Sequence, residues 1–267
     1  LRNGLVLKVG SLLERFVYRR ADSILVISQG FADNLIAKGV PESKIQIIPN
    51  WVDDRRICPR QRENVFRETH SIAPDEFLVL HTGNMGEKQG LENVVLAGRH
   101  LASHDRIRIM LVGDGLDRQR LERLAAEHQP NCVRFLPLQP PEMFPWMLGA
   151  ADVLLLNQRA DVIDSVAPSK LLSYMAAGRC VVAAVHPRSE AAKLVAESGC
   201  GILVPPEEPQ VLAKSILELE ADADKRAHLS RCGRTCVEER YARSTVLARY
   251  ARFFERYDSA PADPAAG

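Results

Sequence analysis

The sequence lacks the features of a membrane-spanning or nucleic-acid-binding protein. A transmembrane helix needs about 18 or more consecutive apolar residues, and no apolar run in this 267-residue chain reaches that length. The opening apolar run is interrupted by Lys8, too early for a signal peptide. The formal net charge is only +1, whereas nucleic-acid-binding domains usually carry a clear basic surplus. We therefore expect no transmembrane helix and no nucleic-acid partner.

Paired cysteines and complete nucleotide-binding motifs are absent as well. The six cysteines are scattered and form no C-x-x-C pair, which favours free thiols in a reducing compartment over a metal site. The chain has no G-x-x-x-x-G-K-S/T phosphate loop, and its short glycine motif at 113–115 lacks the third glycine of G-x-G-x-x-G. Neither an ordinary ATPase nor a dinucleotide-binding protein is therefore indicated.

The sequence does contain a regular alternation of short strands and helices. Continuously apolar runs at 77–80, 107–112 and 153–156 have strand length, and helical segments such as 117–128 separate them. Strands that are apolar on both faces are typical of a parallel sheet covered by helices on both sides, so we predict an α/β fold. The polar stretch 53–67, dense in Asp and Arg, is typical of a linker between two domains.

Three loops that follow predicted strands carry residues suited to anion binding, because open parallel sheets bind ligands beyond the carboxyl ends of their strands. In the first loop, at 81–90, glycines allow backbone N–H groups to approach a ligand, and the following helix N-terminus favours an anion. Lys88 adds a flexible positive charge suited to phosphate. The alternative is a tight strand-to-helix turn with a solvated lysine.

The second loop, at 112–115, also lies between a predicted strand and a predicted helix. Its glycines fit an anion site, but they fit equally a simple turn in which the Asp114 side chain caps the helix. The sequence leaves both interpretations open.

The third loop, at 165–178, leads into a helix for which Ser169 is the predicted N-cap. Lys170 then lies in the first turn, where the helix dipole disfavours a cation by about 0.3–1 kcal/mol. An anion bound between Lys170 and the helix N-terminus would reverse that effect, and the alternative is a lysine that points into solvent. Two such loops in one sheet can hold the two phosphates of a nucleotide diphosphate, each charge-assisted hydrogen bond contributing roughly 1.5–3 kcal/mol.

In their order and spacing, these motifs resemble those of the retaining glycosyltransferases of family 4, which have the GT-B architecture of two facing Rossmann-like domains. The similarity is to the branch of colanic-acid and O-antigen transferases that handle fucose-type sugars. It covers about residues 12–257 and rests on the segments 18–22 with Ser28, 47–53, 83–90, 112–115 and 168–178. The resemblance implies an α/β fold of the GT-B type, with parallel sheets in two Rossmann-like domains of which the N-terminal one is incomplete.

The resemblance also implies the domain organisation. We expect a remnant of the N-terminal acceptor-side domain at 1–53, a linker at 54–76, a C-terminal nucleotide-sugar-binding domain at 77–235, a crossover helix at 236–257 and a disordered tail at 258–267. The tail is rich in Ala, Pro and Asp, a composition that favours disorder. Because the chain begins at Leu1 in what looks like the middle of a fold, we expect an N-terminal truncation that removes the acceptor-binding half.

The resemblance implies a nucleotide-sugar donor as substrate, linked to UDP or GDP, and neither a metal nor another cofactor. Lys88 matches the phosphate-contacting lysine of the family and is the expected catalytic residue, because it would stabilise the leaving diphosphate. The expected donor contacts are Gly83, Asn84, Gly86, Lys88, Asp114, Leu136, Leu138, Ser165, Ser169, Lys170 and Ser173. Residues 165–169 would meet the diphosphate through backbone amides, and Leu136 to Leu138 would flank the base.

Two positions depart from the family pattern. The paired glutamates of the family fall on Ser165 and Ser173, and because serine is shorter, the contact with the ribose hydroxyls is weakened or altered. The phosphate-binding arginine that follows the first glycine is replaced by Asn84.

The expected activity is that of a hexosyl- or fucosyl-type transferase that works with retention in exopolysaccharide, colanic acid or O-antigen synthesis. The acceptor would be lipid-linked or a saccharide, and the site of action cytoplasmic, at the inner face of the plasma membrane. The basic amphipathic helix at 12–20 suits peripheral membrane contact, or alternatively packs inside the N-terminal domain.

Two other functions stay open. One is a sugar-nucleotide epimerase of the same architecture, which needs catalytic carboxylates and histidines at the cleft. Only His81 and His186 lie at strand ends in a suggestive way, and placement in the core or on the surface explains both more simply. The other is a non-catalytic donor-binding fragment.

Overall fold

The structure, a computed structural model, describes residues 4–163 and 169–258. Within these residues the chain forms two compact units: 4–50 together with 244–258, and Trp51–Arg243. No helix in the described part of the chain is both long and apolar enough to cross a bilayer.

The smaller unit begins with helix α1 (Gly4–Arg20), strand β1 (Ile24–Val26), helix α2 (Gln29–Ala37) and strand β2 (Ile45–Ile47). The two strands pair in parallel, with Ile24 opposite Ile45. Ser28 caps α2, because its hydroxyl accepts a hydrogen bond from the backbone N–H of Phe31 at 3.5 Å. A small apolar core, including Val26 and Leu35, lies beneath the strands.

The larger unit contains most of the secondary structure. Its helices are α3 (Val65–Thr69), α4 (Glu92–His100), α5 (Arg118–His128), α6 (Phe144–Ala150), α7 (Ser169–Ala176), α8 (Glu190–Ser198), α9 (Pro209–Ala221) and α10 (Ala223–Cys236). Its strands are β3 (Phe77–Asn84), β4 (Ile107–Asp114), β5 (Val133–Leu136), β6 (Val153–Asn157), β7 (Cys180–Ala184) and β8 (Gly201–Val204). A π-helical turn, Val237–Tyr241, leads to α11 (Arg243–Asp258).

The six strands of the larger unit form one parallel sheet in the order β5-β4-β3-β6-β7-β8. Alternate residues point to opposite faces, so that Leu80 and Leu154 enter one apolar core and Val79 and Val153 enter the other. Every residue of β6 and β7 is buried. Burial on both faces explains why these strands are continuous apolar runs rather than alternating ones.

The predicted linker at 54–76 differs from the structure. These residues belong to the larger unit and contain α3, whose Phe66 and Arg67 are 0% and 1% exposed. Arg67 tolerates this burial because it donates to the carbonyls of Ala73, Glu76 and Ala150 and to the carboxylate of Asp152. The high charge that suggested a linker therefore serves a buried hydrogen-bond network.

The end of the chain contains two elements where one crossover helix was predicted. The π-helical turn Val237–Tyr241 separates α10 from α11, and from Ser244 onward the described residues belong to the smaller unit. Of the predicted disordered tail, residues 259–267 lie outside the described residues.

The strand order reverses between β3 and β6. The chain places β4 and β5 on one side of β3 and then crosses to β6 on its other side. In open parallel sheets, ligands bind in the crevice outside the carboxyl ends of the two strands at this reversal. The ends of β3 and β6, at Asn84 and Asn157, therefore mark the expected site.

Candidate functional site

The side chain of Lys170 reaches from the first turn of α7 to the end of β3. Its Cε and Nζ atoms both lie 3.4 Å from the point where a Cβ on Gly83 would stand. Gly83 has a φ of +116°, a conformation that favours glycine. The geometry thus joins two of the predicted anion loops at one place, the carboxyl end of β3.

Lys170 is a largely buried cation, and none of the described residues supplies a counter-charge for it. Burial lowers its pKa from 10.5 to about 8, because a low-dielectric environment disfavours the ammonium form. Among residues 4–163 and 169–258, no carboxylate forms an ion pair with it. The solvent-directed alternative for Lys170 is therefore wrong, and the ammonium lies where a bound anion would compensate it.

His81 is a buried residue whose ring lies next to the Lys170 ammonium. Its ring is fully buried, with Nδ1 3.2 Å from the carbonyl oxygen of Leu155 and Nε2 3.5 Å from the Lys170 Nζ. Burial, together with the nearby Lys170 ammonium, holds the pKa of His81 well below its usual range. Placement in the core, one of the two simpler explanations for His81, is therefore confirmed. Its contact with Lys170 was not predicted, and the available signal was its position two residues before Gly83.

Tyr174 completes the buried polar layer. Its hydroxyl accepts a hydrogen bond from the backbone N–H of Thr82 at 3.2 Å and lies 3.5 Å from the Leu155 carbonyl. Burial raises the pKa of Tyr174, so the hydroxyl stays protonated. These bonds tie α7 to the ends of β3 and β6 and so fix the position from which Lys170 extends.

The loop that carries Lys88 is fastened to the end of β6. The backbone N–H of Arg159 donates to the Lys88 carbonyl at 3.0 Å. The Asn157 amide donates to the carbonyls of Gln89 and Gly90 at 2.7 and 2.8 Å. The Lys88 residue itself is exposed in the 3₁₀ turn Glu87–Gln89. The backbone is thus held in place while the Lys88 side chain is accessible to a ligand.

A second cation at this loop is already neutralised. Arg159 pairs with Glu87 at 2.6 Å and with Asp161 at 3.1 Å. Because both carboxylates are exposed, these pairs contribute little to stability. They do, however, distinguish Arg159 from Lys170, which has no such partner among the described residues.

The glycine loops of β3 and β4 pack backbone against backbone. A Cβ on Gly113, whose φ is +147°, would lie 1.9 Å from the Gly83 carbonyl oxygen. The Asp114 carboxylate accepts a hydrogen bond from the next N–H, that of Gly115, at 2.8 Å. Asp114 therefore does not cap the following helix as one interpretation of this loop predicted, because α5 begins at Arg118 and its N-cap residue is Asp117. The Asp114 side chain is exposed at the end of β4.

Asn84 and Gly86 lie beside each other at the exposed end of β3. A Cβ on Gly86 would stand 3.0 Å from Nδ2 of Asn84, so the predicted contact residues Gly83, Asn84 and Gly86 share one short segment. The Gly86 N–H donates to the Gln89 side chain at 3.1 Å.

The predicted base-flanking residues lie at the end of β5. Leu136 is half-buried and Leu138 is 69% exposed. Arg118, which sequence reasoning missed, donates to the Gly113 carbonyl at 2.7 Å and to the Leu136 carbonyl at 3.3 Å. It thereby connects the ends of β4 and β5. Only the order of the strands in the sheet reveals this contact, because no sequence pattern indicates it.

The predicted serines have mixed outcomes. Ser169 is the first residue of α7 rather than the residue that precedes it, and the Ser173 hydroxyl donates to the Ser169 carbonyl at 3.2 Å. Ser173 therefore bonds within its own helix, as serine often does. Ser165 lies outside the described residues.

The fold has clear relatives of known structure. Anabaena HepE in complex with UDP has a TM-score of 0.79 at 22% identity, with 91% of this chain and 66% of that chain covered. The C-terminal domain of a glycosyl transferase group 1 family protein from Francisella tularensis has a TM-score of 0.61 at 16% identity, with 72% and 99% covered. These likenesses confirm the predicted α/β fold with parallel sheets of the GT-B type.

Sequence comparison identifies the family. The chain is 30% identical over 218 residues to the putative colanic acid biosynthesis glycosyl transferase WcaI of Escherichia coli, with 80% of this chain and 53% of that protein covered. It is 25% identical over 237 residues to the probable glycosyltransferase WbjE of Pseudomonas aeruginosa, with 88% and 58% covered. The chain thus spans little more than half the length of these relatives.

The family model described as Glycosyltransferase Family 4 matches residues 2–56, and that described as Glycosyl transferases group 1 matches residues 62–235. The second match alone covers well over half of the 267 residues, and the chain belongs to the group 1 glycosyl transferases.

Proposed function

We propose that the larger unit, Trp51–Arg243, binds the diphosphate of a nucleotide-sugar donor at the carboxyl ends of β3 and β6. The observation that carries this proposal is the buried ammonium of Lys170 beside Gly83, which lacks a carboxylate partner among the described residues. A diphosphate supplies the missing negative charge, and Lys88 on the neighbouring exposed turn supplies a second positive one.

Lys170 also accounts for the departure at Asn84. The family pattern has an arginine directly after the first glycine, and this chain has Asn84 there. The Lys170 Nζ occupies the space next to the same glycine, Gly83. A cation from α7 thus takes the place, in this proposal, of the cation that β3 lacks.

The reaction that fits this site is sugar transfer with retention from a UDP- or GDP-linked donor to a lipid-linked or saccharide acceptor, without a metal or other cofactor. Lys170 and Lys88 would stabilise the charge that develops on the leaving diphosphate. Family membership and relatives named for colanic acid biosynthesis support a glycosyltransferase of polysaccharide biosynthesis. The further parts of the proposal are a hexosyl- or fucosyl-type sugar, a role in exopolysaccharide, colanic acid or O-antigen synthesis, and action on the cytoplasmic side of the membrane. Family membership also favours this reaction over the epimerase alternative.

Calorimetric titration of the chain with UDP and with GDP tests the proposal. We expect binding of one nucleotide with a Kd in the micromolar to millimolar range, and a 10- to 150-fold loss in Lys170→Met, equivalent to about 1.5–3 kcal/mol. Lys88→Ala should weaken binding by only about 2- to 5-fold, because an exposed charge is screened by solvent.

Lys225→Ala is the matched control. Lys225 is an exposed lysine on α10 that pairs with Glu218, so its loss should leave nucleotide binding unchanged. Absence of binding by a folded chain at millimolar nucleotide, or equal losses in Lys170→Met and Lys225→Ala, would contradict the proposal.

A further inference from the structure

The contact of His81 with the Leu155 carbonyl favours a proton on the Nδ1 atom of the ring. The Nδ1 atom lies 3.2 Å from the Leu155 carbonyl oxygen, a partner that can only accept a hydrogen bond. A neutral imidazole has a single N–H, so a proton on Nδ1 leaves a lone pair on Nε2. That atom lies 3.5 Å from the Lys170 Nζ, at the outer limit of a hydrogen bond.

The surroundings keep the ring neutral. Burial is the main cause of the low pKa of His81 and the Lys170 ammonium the second, while backbone carbonyls at Leu155 and Asn84 act in the opposite direction without offsetting them. Tyr174 is the other titratable group that α7 presents here, and burial keeps its hydroxyl protonated. Within the described residues, Lys170 is thus the charged group that faces the ring.

We propose that His81 is a positioning residue for Lys170: its neutral ring accepts a hydrogen bond from the ammonium, holds it beside Gly83 and keeps it charged where the diphosphate binds. This inference rests on the proposed role of Lys170 as a diphosphate ligand. His81 itself touches the donor nowhere in this scheme and acts only through Lys170.

The consequence concerns the charge of the site. The pKa of Lys170 is about 8 with the ring in place, only slightly above neutral pH. A buried ammonium that loses its acceptor becomes less stable relative to the neutral amine. Removal of the Nε2 acceptor should therefore lower the pKa of Lys170 further and reduce the charged fraction of Lys170 at neutral pH.

Two substitutions separate the contact with Lys170 from the contact with Leu155. His81→Asn keeps an N–H near the Nδ1 position, where it can donate to the Leu155 carbonyl, but has no atom at the Nε2 position. His81→Gln places an amide oxygen near the Nε2 position and has no donor near Nδ1. A purely structural role of His81 predicts that both variants lose stability and that neither changes the titration of Lys170.

The first measurement is the titration of Lys170 in ligand-free protein by NMR of its Cε and Nζ atoms, with the signal assigned by its absence in Lys170→Arg. We expect the titration midpoint of Lys170 to fall by about one pH unit in His81→Asn and to stay near that of the unsubstituted protein in His81→Gln. An unchanged midpoint in His81→Asn, or equal changes in both variants, would overturn the inference.

The second measurement is UDP binding as a function of pH. In His81→Asn, affinity at pH 7.5 should fall about threefold, because a fall of one pH unit from a pKa of about 8 lowers the charged fraction of Lys170 from about three quarters to about one quarter. Affinity should recover at pH 6, where Lys170 regains its proton, and His81→Gln should retain most of the affinity. A loss that does not recover at low pH would contradict a role through Lys170. If the unsubstituted protein binds no nucleotide, the proposed function fails, whereas the ligand-free titration still decides whether His81 holds the ammonium.

Discussion

The two ends of the six-stranded sheet hold buried positive charge in opposite ways. At the amino ends of β3 and β6, Asp152 accepts hydrogen bonds from Arg62 at 2.6 Å, Arg67 at 2.9 Å and the Leu78 N–H at 2.8 Å. At the carboxyl ends of the same strands, Lys170 lies against Gly83 and His81 without a carboxylate partner in the described part of the chain.

This difference separates a structural charge from a ligand-binding one. A buried cation with its counter-ion and hydrogen bonds in place is part of the fold, and the loss of one partner is strongly destabilising. A buried cation without a counter-ion disfavours the ligand-free fold and is compensated when an anion binds. The comparison therefore predicts opposite effects of substitution at the two ends.

The largest effect is expected at the amino end, in Asp152→Asn. The substitution keeps the shape of the side chain but leaves Arg67, which is 1% exposed, and Arg62 without their shared negative charge. We expect the free energy of unfolding to fall by about 3–5 kcal/mol, measured by urea or guanidinium denaturation monitored by circular dichroism.

Glu63→Gln is the control for Asp152→Asn. Glu63 also pairs with Arg62, but its side chain is 50% exposed, so the loss should stay within about 1 kcal/mol. Similar losses in both variants would show that burial does not distinguish the two partners and would break the comparison.

A smaller effect of opposite sign is expected in Lys170→Met. Burial lowers the pKa of Lys170 from 10.5 in the unfolded chain to about 8 in the folded one. Below about pH 8 the lysine is charged in both the folded and the unfolded state, so the full cost of burying the ammonium opposes folding. Between about pH 8 and 10.5 the unfolded chain binds more protons than the folded one, so the free energy of unfolding rises with pH. Lys170→Met should therefore be more stable than the unsubstituted protein by about 1–3 kcal/mol at pH 7, with an advantage that shrinks toward pH 10.

Denaturation at pH 7 and pH 9.5 checks this sign, with Lys225→Met as the exposed, paired control. The same variant should lose the increase in melting temperature that UDP gives the unsubstituted protein, since the ligand no longer compensates a buried charge. A loss of stability in Lys170→Met at pH 7 would show that the ammonium is already compensated by a negative charge in the ligand-free protein.

The main strands of the larger unit could be predicted from the sequence alone. Continuous apolar runs at 77–80, 107–112 and 153–156 correspond to β3, β4 and β6, because strands buried on both faces need apolar residues throughout. The same reasoning stopped β3 and β4 too early. Their last residues pair across the sheet, Gly83 with Gly113 and Asn84 with Asp114, although glycine and these polar residues have low strand propensity.

The site was predictable in part, and the limit is physical. Lys170 and Gly83 were each predicted to bind an anion. Their contact depends on where α7 packs relative to β3, and no local sequence pattern indicates that position. The role of His81 depends on the Leu155 carbonyl, 74 positions away in the sequence, and on complete burial. The wrong prediction of a linker at 54–76 has the same origin. A charged residue such as Arg67 suggests an exposed loop in the sequence, and only the structure shows that its partner Asp152 lies beside it in the interior.

The smallest predicted effect, in Arg118→Met, tests whether the location of a cation in the sheet or its pairing with other groups decides its effect on stability. Arg118 lies at the carboxyl end, like Lys170, but its side chain is 21% exposed, pairs with Glu122 at 2.8 Å and donates to the carbonyls of Gly113 and Leu136. Because it has partners, its loss should destabilise the protein by about 1 kcal/mol, opposite in sign to Lys170→Met at the same end of the sheet. UDP affinity should fall a few-fold as the ends of β4 and β5 loosen near the expected base position, while pyrophosphate, which has no base, should bind unchanged. If Arg118→Met instead stabilises the ligand-free protein, then location at the carboxyl end, rather than the absence of a partner, is what makes a cation unfavourable there.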